Sequence, residues 1–454
     1  MLTFNCFCED FFWLDFGDRS PIIFYFVLRF DSPAEWNFLR RHWHYAQNGE
    51  DCKWDDAFAV LTQRHRIAIL RALENPKVKF LVPRLFEWFA ANARDLPWRR
   101  TNDPYLVYVS EIMLQQTQVK TVIPFWERWR RELPTIEAAA QAPSDKIHKL
   151  WEGLGYYTRV RNLQQAAQVI VEKHGGKFPR DFDSVLALPG IGRYTAGAIC
   201  SIAFNQPTPI LDGNVIRVLT RIFGIAENPK EKQTNARLWK LAEELVYRAK
   251  NAKETKDKNT SPPSRSSRDT NSCSHLNQSL MELGALVCTP RNPQCLICPI
   301  KQRCVAFKEN RVAELPNLGK RETATARCFI AFVVKHNGKF LVRRRPAGVV
   351  NAHLWEFPNA ECADTKPDAR RIFKTLFGFS PPEILQLGTV KHSITRYRIT
   401  LEAFRVCLGR KSPTSLHSKK TGVWKTPAQM QQSAFTSAHK KLASLATSRI
   451  LSGR

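Results

Sequence analysis

The segment "CTPRNPQCLICPIKQRC" (288–304) places Cys288, Cys295, Cys298 and Cys304 at intervals of six, two and five intervening residues. So many thiols in so short a run tie one loop around one centre, through disulfides, zinc or an iron–sulfur cluster. Disulfides belong to an oxidising compartment, whereas Cys200, Cys328, Cys362 and Cys407 are scattered singly through apolar or strand-like stretches, the usage of a reducing one. Structural zinc usually takes two C-x2-C knuckles, and Cys295–Cys298 is the one such pair in the loop. Four thiolates in a single loop suit a 4Fe–4S cluster, although spacing alone leaves zinc open. Arg291, Lys301 and Arg303 make the loop basic, a phosphate-binding character that requires no redox chemistry.

The rest of the chain agrees with a polyanionic partner. It carries 69 basic against 41 acidic side chains, a formal charge of +28, which points first to nucleic acid and otherwise to a merely solubilising surface. Its 454 residues exceed a single core and predict two or three domains. The aromatic run "FFWLDFGDRSPIIFYFVLRF" (11–30) is interrupted by Asp15, Asp18 and Arg19, so it reads neither as a signal peptide nor as a membrane span.

Residues 1–79 lack a clear period and form an extension of unassigned role. From 80 to 310 apolar residues recur three and four apart, as in Leu163, Ala166, Ala167 and Ile170, which predicts an all-α domain. The polar, Ser-rich stretch 250–275 reads as a flexible insertion within it. A linker at 311–327 leads to an α+β domain over 328–454, announced by β-branched runs around Asn337-Gly338 and by the alternation in "TRYRITLEAFRV". Within the helical domain, "LPGIGRYTAGAI" (188–199) puts Gly190 and Gly192 between two helices, where exposed amides and a helix N-terminus can hold a phosphate in helix-hairpin-helix fashion.

Two carboxylates stand in informative settings. Glu111 lies in a helical run beside Val107, Ile112 and Leu114, where burial would raise its pKa; the alternative is a solvated helix residue. Asp212 in "ILDGNV" precedes a helix, where an Asp is ordinarily an N-cap.

With "LPWRRTNDPYLVYVSEIMLQQTQVKTVIPFWERW", "WEGLGYYTRVRNLQQAAQ", "LPGIGRYTAGAICSIAF", "ILDGNVIRVLTRIFGI" and "MELGALVCTPRNPQCLICP", residues 80–307 resemble the endonuclease III superfamily of DNA glycosylases, most closely its MutY branch, the adenine DNA glycosylases. The resemblance implies one 4Fe–4S cluster on Cys288, Cys295, Cys298 and Cys304, and no nucleotide cofactor. It implies that Glu111 is the acid that protonates adenine and then activates water, that Asp212 is the anion facing the sugar, and that Asn214 orients these groups. Tyr194 replaces the Schiff-base lysine of endonuclease III-type enzymes, which implies a monofunctional glycosylase, with the phenol bonding near Asp212. Tyr156 matches the wedge that fills the space of the everted base, with Leu154 beside it; Gln116 and Thr117 match positions near the estranged base, and Trp98, Arg99 and Gln278 the adenine pocket.

The C-terminal part resembles the family's Nudix-like domain, which reads 8-oxoguanine. The stretch "AECADTKPDARRIFKTLFGF" has no R-E-x-x-E-E run for magnesium, so recognition without nucleotide hydrolysis is expected. Where the family's reading loop carries Phe-Ser-His, this chain carries Ile394, Thr395 and Arg396, of which Thr395 offers a hydroxyl. The expected partner is double-stranded DNA with A:8-oxoguanine or A:G mispairs, met by a monomer with no membrane association in a bacterial cytoplasm. The alternatives are another glycosylase of the superfamily and a non-catalytic DNA-binding iron–sulfur protein.

Overall fold

The computed structural model describes residues 4–6, 12–14, 75–251, 272–320, 323–362, 368–394, 396–408 and 422–451, of which 4–6, 12–14 and 448–451 are described without their side chains. The chain divides into two compact units, Met1–Arg71 and Ala72–Arg454. In the first, β1 (Phe4–Cys6) and β2 (Phe12–Leu14) pair antiparallel, with Phe4 opposite Leu14.

The second unit opens with α1 (Pro76–Asn92), four residues before the expected Phe80, because Asn75 Oδ1 accepts from Lys77 N at 3.0 Å and Pro76 supplies a preset first turn. Asp103 and Pro104 repeat this device at the head of α2 (Pro104–Leu114), in which every residue from Tyr105 to Met113 is buried. There follow α3 (Val119–Glu132), α4 (Ile136–Gln141), α5 (Ser144–Trp151), α6 (Thr158–His174) and α7 (Phe182–Leu186), then α8 (Arg193–Phe204), α9 (Gly213–Phe223), α10 (Lys232–Asn251), α11 (Ser272–Leu286) and the short α12 (Val305–Lys308).

These helices bury two apolar clusters. One gathers α2 to α6 around Trp126, Trp129 and Trp151; the other gathers α1, α9, α10 and α11 around Leu81, Leu219, Leu245 and Leu276. Helix α8 contributes to both, Ala196 and Ile199 to the first and Ala198 to the second. Its N-terminal turn therefore stands between the two lobes. The expected insertion is shorter than 250–275: α10 continues to Asn251, and α11 begins at Ser272 because Asn205 Oδ1 accepts from Cys273 N at 2.9 Å and Ser274 N at 3.3 Å. Residues 252–271 lie outside the described residues.

The α+β domain starts at Thr325, inside the expected linker, because β3 (Thr325–His336) pairs in parallel with β8 (Tyr397–Cys407) from its first residue. Asn337 and Gly338, both with positive φ, turn β3 into β4 (Lys339–Arg344) as the Asn-Gly signal predicts. With β5 (Trp355–Glu356), β6 (Asn359–Cys362), β7 (Leu385–Ile394) and β9 (Val423–Lys425) they form a seven-stranded sheet of principal order β5-β4-β3-β8-β7, β6 pairing with β3 and β9 with β4. Phe373 and Phe377 of α13 (Ala369–Phe377) cover one face; Met430 of α14 (Pro427–Gln432) and Leu442 of α15 (Ser437–Leu451) cover the other. No described helix is long and apolar enough to cross a membrane.

Candidate active site

Between the two lobes lies a cleft of about 620 Å³, lined among others by Trp98, Arg99, Glu111, Tyr194, Asp212 and Gln278. Glu111 is 5% exposed. Burial pushes its carboxyl up to about 7, the negative charge of Asp212 adds to the rise, and the bond from Tyr194 opposes it without cancelling it. Tyr194 Oη donates to Glu111 Oε2 at 2.6 Å. The phenol was expected near Asp212; it bonds instead to the other carboxylate, because α8 starts directly beneath α2, while Asp212 is held by its own helix.

Asp212 is both the N-cap anticipated for an isolated Asp and a wall of the cleft. Its Oδ1 accepts from Val215 N at 2.7 Å and its Oδ2 from Asn214 Nδ2 at 2.8 Å. Asn214 Oδ1 accepts in turn from Arg217 Nη2 at 2.8 Å, and Arg217 donates onward to the carbonyls of Gly284 and Cys288 at 2.8 and 2.7 Å. A Cβ on Gly284 would stand 2.7 Å from Asn214 Cβ, so a glycine is required for α11 to approach so closely. The carboxylate facing the cleft is thus fixed from behind by a chain of bonds that ends in the cysteine loop.

The adenine-pocket positions also come together. Arg99 Nε donates to Gln278 Oε1 at 3.0 Å, and buried Trp98 meets Trp126 edge-on. Sequence reasoning missed their keystone, Glu282. It is 1% exposed and binds Arg94 through Oε2 at 2.7 Å and Arg99 through Oε2 at 3.0 Å. Burial alone would raise its carboxyl, but the two guanidinium groups outweigh burial and hold it at about 2. The available signal was that Glu282 follows Gln278 by one helical turn.

The strand-opening positions sit at the rim. Gln116, exposed with φ +57°, and Thr117 line the cleft; Tyr156, 43% exposed with φ +49°, stands outside it. Leu154 departs from expectation: it is 6% exposed and packed in the tryptophan-rich core, so of the pair Tyr156 alone presents its side chain. Arg159, also missed, joins both loops. Its guanidinium donates to the carbonyls of Ile112, Met113 and Gln115 at 2.8, 3.1 and 2.5 Å, and to those of Leu154 and Gly155 at 3.3 and 3.2 Å. Burial lowers its pKa to about 10, which still leaves it charged at neutral pH.

In the hairpin, Gly190 has φ +73° and a Cβ there would strike Asn162, whereas Gly192 is extended and caps α8 with no side-chain bond to the helix amides. Thr395 lies outside the described residues. Its neighbours Ile394 and Tyr397 pair across the β7–β8 turn, with Arg396 exposed.

Cys288, Cys295, Cys298 and Cys304 line one small cavity with Arg221 and Ile300, and the nine cysteines with described side chains are all unbridged. Among the described residues no three His, Cys, Asp or Glu side chains are disposed to hold a single metal ion. Four sulfurs lining one shared cavity are a ligand set that suits a 4Fe–4S cluster. Arg221 Nη1 reaches Cys288 Sγ at 3.4 Å, the kind of donor that stabilises a ligating thiolate.

Comparison with known proteins agrees with this geometry. Residues 109–244 match the HhH-GPD superfamily of base excision DNA repair proteins, 288–304 the iron-sulfur binding domain of endonuclease III, and 330–445 the NUDIX domain. The cysteine loop accordingly holds one 4Fe–4S cluster. The adenine DNA glycosylase of Rattus norvegicus is 33% identical over 415 residues, 79% of this chain and 76% of that protein. That of Homo sapiens is 32% identical over 417 residues, 79% and 72%. That of Buchnera aphidicola subsp. Schizaphis graminum is 33% identical over 347 residues, 75% of this chain and 91% of that one. Together with the cleft between the two helical lobes, these alignments establish that the chain belongs to the adenine DNA glycosylases of base excision repair.

Proposed function

We propose that this adenine glycosylase acts on adenine opposite 8-oxoguanine, and opposite guanine, and leaves the resulting abasic site uncut. The observation that carries the chemistry is a buried Glu111 with a pKa near neutrality, set in one cleft with an Asp212 whose orientation is fixed by Val215 N and Asn214. Adenine everted into the cleft would meet Trp98, Arg99 and Gln278, while Tyr156 occupies the gap left in the duplex. Glu111 gives its proton to N7. The C1′–N9 bond then breaks with its electron pair leaving on adenine, and the oxocarbenium-like sugar is stabilised by the Asp212 carboxylate. Glu111, now ionised, accepts a proton from water as the oxygen bonds to C1′, which returns the acid to its starting state. Tyr194 carries no amine, so no Schiff base forms and no strand scission follows.

Cys288, Cys295, Cys298 and Cys304 would hold the cluster, whose contribution is to fold a rigid basic loop for backbone phosphates. Recognition of 8-oxoguanine belongs in this reading to the Nudix-like domain. Helix α13 bears Arg370, Arg371 and Lys374 and no acid, which supports recognition without magnesium-dependent hydrolysis. A monomer in a bacterial cytoplasm completes the proposal. A labelled duplex with A opposite 8-oxoguanine tests it: strand breakage appearing only after hot alkali is expected. Breakage without alkali would contradict the role of Tyr194, and equal rates opposite every partner base would contradict lesion reading.

A further inference from the structure

The C-terminal domain meets the glycosylase domain on the two helices that flank the wedge loop. On α5, Arg344 Nη2 donates to both oxygens of Asp145 at 2.5 and 2.6 Å, and Lys149 Nζ donates to Ser433 O at 3.3 Å. On α6, Arg161 Nη1 donates to Ala352 O at 3.2 Å, while Leu354 and Ala434 pack into the tryptophan-rich lobe. Between these contacts lies Glu152, which ends α5 and opens the loop that carries Tyr156.

The Glu152 side chain is 5% exposed. Its Oε1 accepts from Phe435 N at 2.9 Å, and its Oε2 from Lys440 Nζ and Lys149 Nζ, each at 2.8 Å. Two of the three donors therefore belong to the C-terminal domain. The carboxylate is buried although both lysines keep contact with solvent, so a shift of Glu152 would break its two ammonium contacts and leave the buried Phe435 amide without its acceptor. Burial works to raise its pKa, and the three bonds outweigh burial to hold it below the ordinary carboxylate range, consistent with a permanently ionised anchor. The four residues that follow have little freedom to absorb a displacement. Leu154 is buried in the tryptophan-rich core, Arg159 pins the loop through Leu154 O and Gly155 O, and Tyr156 is held at φ +49°.

We infer that Glu152 is a positioning residue that couples the C-terminal domain to the Tyr156 wedge, so that engagement of the base opposite adenine and opening of the duplex act as one event. The inference rests on recognition of 8-oxoguanine by that domain, proposed above. Loss of the anchor then shows in discrimination, through the placement of the wedge, rather than in protein stability alone.

The test is single-turnover adenine release by the full chain from A:8-oxoguanine and A:G duplexes, with Glu152→Gln, Lys440→Met and the double variant. A glutamine can still accept from Phe435 N, but it turns an N–H2 donor toward two ammonium groups. Each single change is expected to lower the ratio of the two rates about tenfold, and the double change to lower it no further, the signature of a shared interaction. Lys440→Arg should retain the wild-type ratio. A merely structural role would lower the melting temperature and scale both rates together. A wild-type preference that survives in both single variants, or effects that add in the double variant, overturns the inference and leaves lesion recognition standing. A wild-type enzyme without preference for 8-oxoguanine overturns both.

Discussion

Two buried glutamates, one in each domain, show what turns a carboxyl group into an acid. Glu111 in the helical cleft is 5% exposed and Glu356 in the C-terminal sheet is 2% exposed, so desolvation raises the pKa of both. Glu356 is met by Arg345 and Arg343, the latter at 2.9 Å, and the two guanidinium groups outweigh burial to hold it below the ordinary range; His439 alongside is itself pushed down to about 4 by burial and stays neutral at pH 7. Glu111 receives a single neutral hydroxyl and faces another carboxylate, and its pKa settles at about 7. The nearest comparison inside the cleft itself is Glu282, where two arginines bring a buried carboxyl down to about 2. Burial is common to all three; only Glu111, which no cation bonds and on which the charge of Arg99 acts more weakly than the charge of Asp212, keeps a proton that it can donate.

The sharpest break in this contrast is Glu111→Gln, which removes the transferable proton and keeps the volume. Adenine release should fall about 10²–10⁴-fold in single-turnover assays while duplex binding persists. The matching change on the other side, Glu356→Ala, should leave two arginines without their anion. We expect a loss of about 2–3 kcal/mol in chemical denaturation of the C-terminal domain, below the range for a fully enclosed pair because Arg343 and Arg345 keep some contact with solvent. It should not move the pH dependence of adenine release. The smallest effect is the most informative about the cleft: Tyr194→Phe removes a bond that favours the ionised form of Glu111, so the descending alkaline limb of the pH–rate profile should shift upward by about half to one unit. A downward shift would mean that the phenol stabilises the protonated form instead.

Much of the fold and of the cleft is legible in the sequence, but the partners that set these carboxyl groups apart are not. The four cysteines, the hairpin glycines and the match at Glu111 and Asp212 specified the glycosylase domain, and the alternation in β8 together with Asn337-Gly338 specified a sheet in the second. What stayed hidden were partnerships made across the fold. Glu282 and Arg94 are 188 positions apart, Arg159 reaches back 47 positions to Ile112 O, and Glu152 finds Lys440 288 positions away. No local period reports such pairs. Leu154 shows a related limit, because a leucine beside a wedge tyrosine looks the same in a sequence whether it points to DNA or, as here, into the core. The bond of Tyr194 to Glu111 rather than near Asp212 likewise depended on how α8 seats against α2.

The central claim is that Glu111 carries its proton at neutral pH because burial and an anionic neighbour outweigh the hydroxyl bond. The direct measurement is the single-turnover rate of adenine release as a function of pH across about two units on either side of 7, at constant duplex saturation. The account predicts a rate that declines as pH rises through about 7, approaching a tenfold loss per unit beyond it, with no such limb in Glu111→Gln. A rate that is flat through this range, or that increases through it, would show that no protonated Glu111 takes part in breaking the glycosidic bond.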